Sequence, residues 1–90
     1  MNMNQKVLFS DTVYAQEIDD EMVLLDMTSE NYFGLDAVGK DIWQLLQEGK
    51  TLQEAQDALL EMYDVDLEIL KKDFLDFVGE LKRRGLVQME

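Results

Sequence analysis

Residues 30–46 read ENYFGLDAVGKDIWQLL, and this stretch decides the fold. Its first part, YFGL at 32–35, reads as a short strand that ends at Asp36, with two aromatic residues on alternate faces. The hydrophobic period then changes. Val38, Ile42, Leu45 and Leu46 fall on one helical face with Trp43 at its flank. Asp36 has the side chain of a helix N-cap, and Gly49 suits the residue just past a helix C-terminus. The switch from period 2 to period 3.6 therefore marks a boundary between a sheet and a set of helices.

Upstream, TVYAQEI at 12–18 is β-branched and aromatic and predicts a first strand. Asp19, Asp20 and Glu21 follow as a solvated turn. MVLLDM at 22–27 predicts a second strand, and its near-continuous apolar run implies a central position buried on both faces. TSEN closes a hairpin into the strand at 32–35. Residues 1–5 are polar and are expected to be loose, which leaves an ordered core of about 7–88 within one domain spanning 1–90. Downstream, TLQE at 51–54 is a capping box opening a second helix, with Leu52, Ala55, Leu59, Met62 and Tyr63 as its buried stripe. Asp66 caps a third helix that runs to Arg84. Gly85 supplies a left-handed residue after it, and LVQM at 86–89 adds a short extended piece. Strands followed by helices imply an α+β domain: a three-stranded antiparallel sheet with three helices on one face.

Composition narrows function. The chain has 20 acidic and 8 basic residues, a net charge of -12. That balance repels phosphate backbones and anionic lipid, so neither nucleic acid nor membrane is an expected partner. Without cysteine or histidine there is no thiol nucleophile, no disulfide and no imidazole base or ligand. DVDLE at 64–68 alternates acids like a calcium loop, but Ile69 stands where such a loop requires glycine. No catalytic group, cofactor or metal site emerges. With no signal-peptide or membrane-spanning pattern, the expected location is cytoplasmic.

The third helix carries two faces. Leu67, Leu70, Phe74, Phe77, Val78 and Leu81 form a broad core stripe. Beside it Lys71, Leu75, Gly79 and Lys82 share a flank, with Lys72 and Arg83 further round. A glycine inside a helix costs about 0.5–1 kcal/mol relative to alanine, which suggests a close contact there. The lysines and arginines near the C-terminus also complement the helix dipole. Meanwhile the strand NYFGL has neither lysine nor proline to guard a free edge. Two readings follow: Tyr32 and Phe33 are ordinary core residues, or the strand is an edge open to addition of an extended peptide.

The ordered combination VLLDMTSENYFGLDAVGKDIWQLL, YDVD and DFLDFVGELKRRGLV resembles the PqqD-like family over about residues 12–88. The resemblance implies a RiPP recognition element. This is a winged helix-turn-helix-like domain that binds the leader of a ribosomal precursor peptide and presents its core to modifying enzymes, without catalysis of its own. It implies a leader docked on the third strand, at Glu30, Asn31, Tyr32, Phe33, Gly34 and Leu35. The other wall would come from helix three: Lys71, Lys72, Leu75, Val78, Gly79 and Lys82. YFGLDAVGKDIW resembles stand-alone proteins of lasso-peptide pathways, whose partner is a transglutaminase-like leader peptidase. A radical SAM enzyme is the partner in the pyrroloquinoline-quinone and related pathways.

Two other classes compete. A DNA-binding winged helix would need cations on its recognition helix, and TLQEAQDALLEMY has none. A dimerisation or scaffold module could use the same free edge. Charge gives mixed signals about a peptide: Lys71 and Lys82 suit acidic leader side chains, whereas the acidic domain as a whole suits basic ones.

Overall fold

The computed structural model describes residues 2–90. Five strands and three helices follow in the order β1 (Val7–Phe9), β2 (Val13–Ile18), β3 (Glu21–Asp26), β4 (Asn31–Leu35), α1 (Ala37–Gln47), α2 (Leu52–Met62), α3 (Leu67–Arg83) and β5 (Val87–Met89). The expected three-stranded antiparallel sheet is present in the order β2-β3-β4, so β3 is central and β4 lies at an edge. A second, two-stranded sheet pairs β1 with β5, Leu8 opposite Gln88, and joins the two ends of the chain. Strand β1 is absent from the sequence reading. Three residues carry too little alternation to signal a strand, and the partner lies some 80 positions away.

Local rules account for the element ends. Asp36 Oδ1 accepts the Gly39 amide at 2.8 Å, which fixes the turn out of β4 into α1. The Thr51–Glu54 capping box is complete: Thr51 Oγ1 accepts the Glu54 amide at 3.1 Å and Glu54 Oε1 accepts the Thr51 amide at 2.8 Å. Asp66 Oδ1 takes the Glu68 amide at 2.9 Å at the start of α3. At its end the Gly85 amide bonds Lys82 O and the Leu86 amide bonds Leu81 O, each at 3.0 Å. Gly85 has φ +76, completing a Schellman motif that turns the chain into β5.

All three helices lie on one side of the β2-β3-β4 sheet. Met22, Leu24 and Leu35 on its inner face join Ile42, Trp43, Leu52, Leu59, Phe74, Val78 and Leu81 in a single core. Trp43 is central rather than flanking: it is buried and meets the Phe9 ring edge-on at 4.7 Å. Val38, Met62 and Leu67, expected in buried stripes, are exposed instead. They stand at helix ends that run past the small core.

Two further expectations change. Strand β3 is not buried on both faces, because Met22 and Leu24 face the core whereas Leu25 is exposed and Val23 only half-buried. Nor are the described N-terminal residues loose. Gln5 O accepts the Leu52 amide at 3.0 Å and Met3 O the Gln53 amide at 2.8 Å, so this segment satisfies the first amides of α2. Met1 lies outside the described residues.

Candidate peptide-binding edge

Among the described residues strand β4 pairs with β3 alone, in the register Met22–Leu35, Leu24–Phe33 and Asp26–Asn31. Ladder alternation identifies which of its backbone groups remain. The Met27 amide bonds Thr12 O at 2.8 Å across β2 and β3, so odd-numbered residues of β3 bond towards β2 and even-numbered ones towards β4. Asn31, Phe33 and Leu35 therefore exchange hydrogen bonds with β3. The N–H and C=O groups of Tyr32 and Gly34 point the other way, out of the sheet. No other described element bonds to them.

Side chains divide by the same alternation. Phe33 and Leu35 face inward; Leu35 is buried and Phe33 half-buried. Tyr32 projects from the outer face, 76% exposed, so it is not a core residue. Gly34 has open space where a side chain would stand.

Helix α3 borders this edge through a flank that sequence did not select. The Arg84 guanidinium lies 4.6 Å from the centroid of the Phe33 ring, and Phe77 packs beside Leu35 and Gly39 at the end of β4. Arg84 is held by Glu80, whose Oε1 accepts from its Nε at 2.7 Å; Arg83 bonds the other carboxylate oxygen. The two guanidinium groups keep the Glu80 carboxyl below the usual carboxylate range. A cleft of about 160 Å³ opens between Asn31, Phe33 and Arg84. At the other end of β4 an apolar cavity of about 350 Å³ lies among Val38, Ile42, Tyr63, Ile69 and Phe77, with Asp36 and Asp73 at its rim.

The expected helix wall is thus displaced. At 100° per residue, Lys71, Leu75, Gly79 and Lys82 stand about 120–160° round the α3 axis from Phe77, away from β4. Val78 is fully buried and closed to any guest. Lys72 is exposed and pairs with Asp76 at 3.6 Å. Of the expected site, Glu30 to Leu35 lie together along one edge, whereas the six helix residues do not join them. Phe77 and Arg84 were missed because one reads as core and the other as a dipole-complementing terminus.

Comparison with known proteins bears on this edge. The family described as coenzyme PQQ synthesis protein D (PqqD) matches residues 21–87. The chain belongs to the PqqD family. No curated protein matches it. Among solved structures, TbiB1 in complex with the TbiA(beta) leader peptide is 45% identical to this PqqD-family chain, with a TM-score of 0.83 over 89% of this chain and 93% of TbiB1. A lasso peptide synthetase B1 complexed with its leader peptide is 25% identical, with a TM-score of 0.84 over 92% of this chain and 98% of that protein. Both of these structures are complexes with a leader peptide. No helix among the described residues of this chain is long and apolar enough to cross a membrane.

Proposed function

We propose that this chain is a stand-alone RiPP recognition element of a lasso-peptide pathway, binding the leader of a ribosomal precursor by strand addition to β4. The carrying observation is the outward aim of the Tyr32 and Gly34 backbone groups on an unguarded edge. The 45% identity to a protein solved with a leader peptide supports the same use. On this reading the leader completes the ladder at Tyr32 and Gly34. Its inward side chains meet Phe33, Phe77 and Arg84, and an apolar anchor enters the cavity beside Val38 and Ile69. The scaffold works as a winged helix-turn-helix-like peptide reader in the cytoplasm. It performs no chemistry and hands its guest to a transglutaminase-like leader peptidase. The likeness to a lasso peptide synthetase B1 favours that pathway over one served by a radical SAM enzyme.

Amide exchange with a synthetic leader peptide tests the reading. The Tyr32 and Gly34 amides should exchange fast in the free chain and become protected on titration, while Phe33 and Leu35 start protected. Protection confined to α1 and α2 would refute it.

A further inference from the structure

No helix of the described residues covers the outer face of the β2-β3-β4 sheet, yet that face is apolar. Cross-strand register aligns Tyr14, Leu25 and Tyr32 in one row. They are 63%, 39% and 76% exposed, and Ile18 on the same face is 52% exposed. Val23 lies between Gln16 and Gly34, and no side chain at 34 covers it. A solvated sheet face is ordinarily polar on alternate residues; grouped exposed aromatics and aliphatics mark contact surfaces.

We infer that this face is the docking surface for the enzyme that processes the bound peptide, a protein presenting an apolar patch rimmed by lysine or arginine. The inference rests on the peptide-binding reading above. Two observations select this occupant. First, a guest strand on β4 extends the face: its outward side chains come level with Tyr32, so one partner surface can touch carrier and guest together. Second, the electrostatics are one-sided. Residues 12–35 contain no cation, and of their six carboxylates Glu17 and Asp26 lie on the helix side, Glu17 paired with Lys40, which leaves four around the outer face. Asp19, Asp20 and Glu21 are exposed at one end of the face and Glu30 at the other. A second copy of this chain would set these charges against their own kind, and an anionic lipid surface is repelled equally. A basic-rimmed protein is attracted.

The test uses the full chain, a fluorescent synthetic leader and the purified leader peptidase encoded with it. The Tyr14→Ser/Leu25→Ser variant should bind leader within about twofold of wild type, since neither residue touches the free edge. Peptidase affinity for its leader complex should fall roughly tenfold or more, and the rate of leader cleavage with it. Ile18→Lys, at the far end of the face, is an independent variant expected to show the same split should the double variant fail to fold. Wild-type peptidase binding should weaken in roughly 0.5 M salt. Unchanged peptidase affinity in folded variants overturns the inference while leaving leader binding intact. A wild-type dimer dispersed by Tyr14→Ser/Leu25→Ser overturns it in favour of a second copy. Failure of wild type to bind leader at all removes the peptide-binding reading itself, and this inference with it.

Discussion

The Arg84 guanidinium lies 4.6 Å from the centroid of the Phe33 ring, tying the last turn of α3 to the middle of the edge strand. Glu80 holds the guanidinium from behind through Nε. Both residues line the cleft at the start of β4, and the contact is replaceable only in part by lysine, whose ammonium cannot stack as a plane. Arg84→Ala should lower stability by about 0.5–1 kcal/mol, the range for a cation–π contact at an exposed site. Arg84→Lys should fall between it and wild type. Urea unfolding followed by Trp43 fluorescence measures both. Wild-type stability in Arg84→Ala would mean that Phe33 needs no lid.

A sharper prediction concerns a backbone group. The Gly34 N–H faces out of the sheet, and proline is tolerated on an edge strand where its missing N–H would face solvent. Gly34→Pro should therefore keep the β3–β4 ladder and the fold while removing one donor that β4 offers to a guest strand. Leader affinity should fall by about tenfold, combining a lost hydrogen bond with an unpaired carbonyl on the guest. Anisotropy with labelled leader gives the affinity, and circular dichroism gives the fold. Undiminished affinity would show that the guest does not pair along this edge.

The two flanks of α3 can be told apart by mutation. Phe77 stands at the β4 side, and Lys71 and Lys82 on the far side. Phe77→Ala should weaken leader binding by roughly tenfold through loss of an apolar wall, alongside a stability cost measured separately by urea. Lys71→Ala/Lys82→Ala should leave leader affinity within about twofold at ordinary ionic strength. The reverse pattern in titrations of the two variants would restore the lysine flank as the binding wall.

That contrast shows what the sequence could convey. The strand-to-helix switch at Asp36, the capping box at Thr51 and the left-handed Gly85 follow from neighbouring side chains, so they were legible. Hairpin order placed β4 beside β3 but left its other side open, and only the sheet order β2-β3-β4 makes it an edge. The side of α3 that meets β4 was not legible either. A helix shows its buried stripe through periodicity, and Leu70, Phe74, Val78 and Leu81 gave that stripe. Both margins of a stripe look alike until the helix is set against the sheet. Gly79 and its neighbouring lysines then drew attention to the margin that faces away from β4. The exposed face of β3 was hidden for a related reason: VLL reads as doubly buried, because an exposed apolar residue such as Leu25 looks the same in sequence as a buried one such as Leu24.

The charged caps predict an acid response. Glu54 is held below its usual range chiefly by the Thr51 backbone amide and then its hydroxyl, and Lys50 and Lys6 add smaller attractions. A carboxyl lowered by folding adds stability that is present above its unfolded range and is lost as pH falls through it. Glu54→Gln should therefore shallow the decline of melting temperature between about pH 5 and 3 relative to wild type, because glutamine cannot be neutralised. Parallel curves for the two proteins would show that the capping box contributes nothing through charge.

Tyr63 gives the opposite response at alkaline pH. Its hydroxyl donates to Asp41 Oδ2 at 2.6 Å, joining the end of α2 to α1 beside the apolar cavity. That hydrogen bond, followed by burial and the Asp41 charge, pushes the phenol up to about 12. The neutral form is the one the fold favours. Its contribution is complete below the ordinary tyrosine value near 10 and disappears as pH rises through about 12. Tyr63→Phe keeps the ring and removes both the donor and the late titration. Absorbance titration should show one tyrosine ionising near 12 in the folded wild type and none there in the variant. Thermal scans of the two proteins should converge as pH climbs from about 9 towards 12, because wild type alone loses a hydrogen bond on ionisation. A constant gap across that range would place the stabilising effect of Tyr63 in its ring rather than in its bond to Asp41.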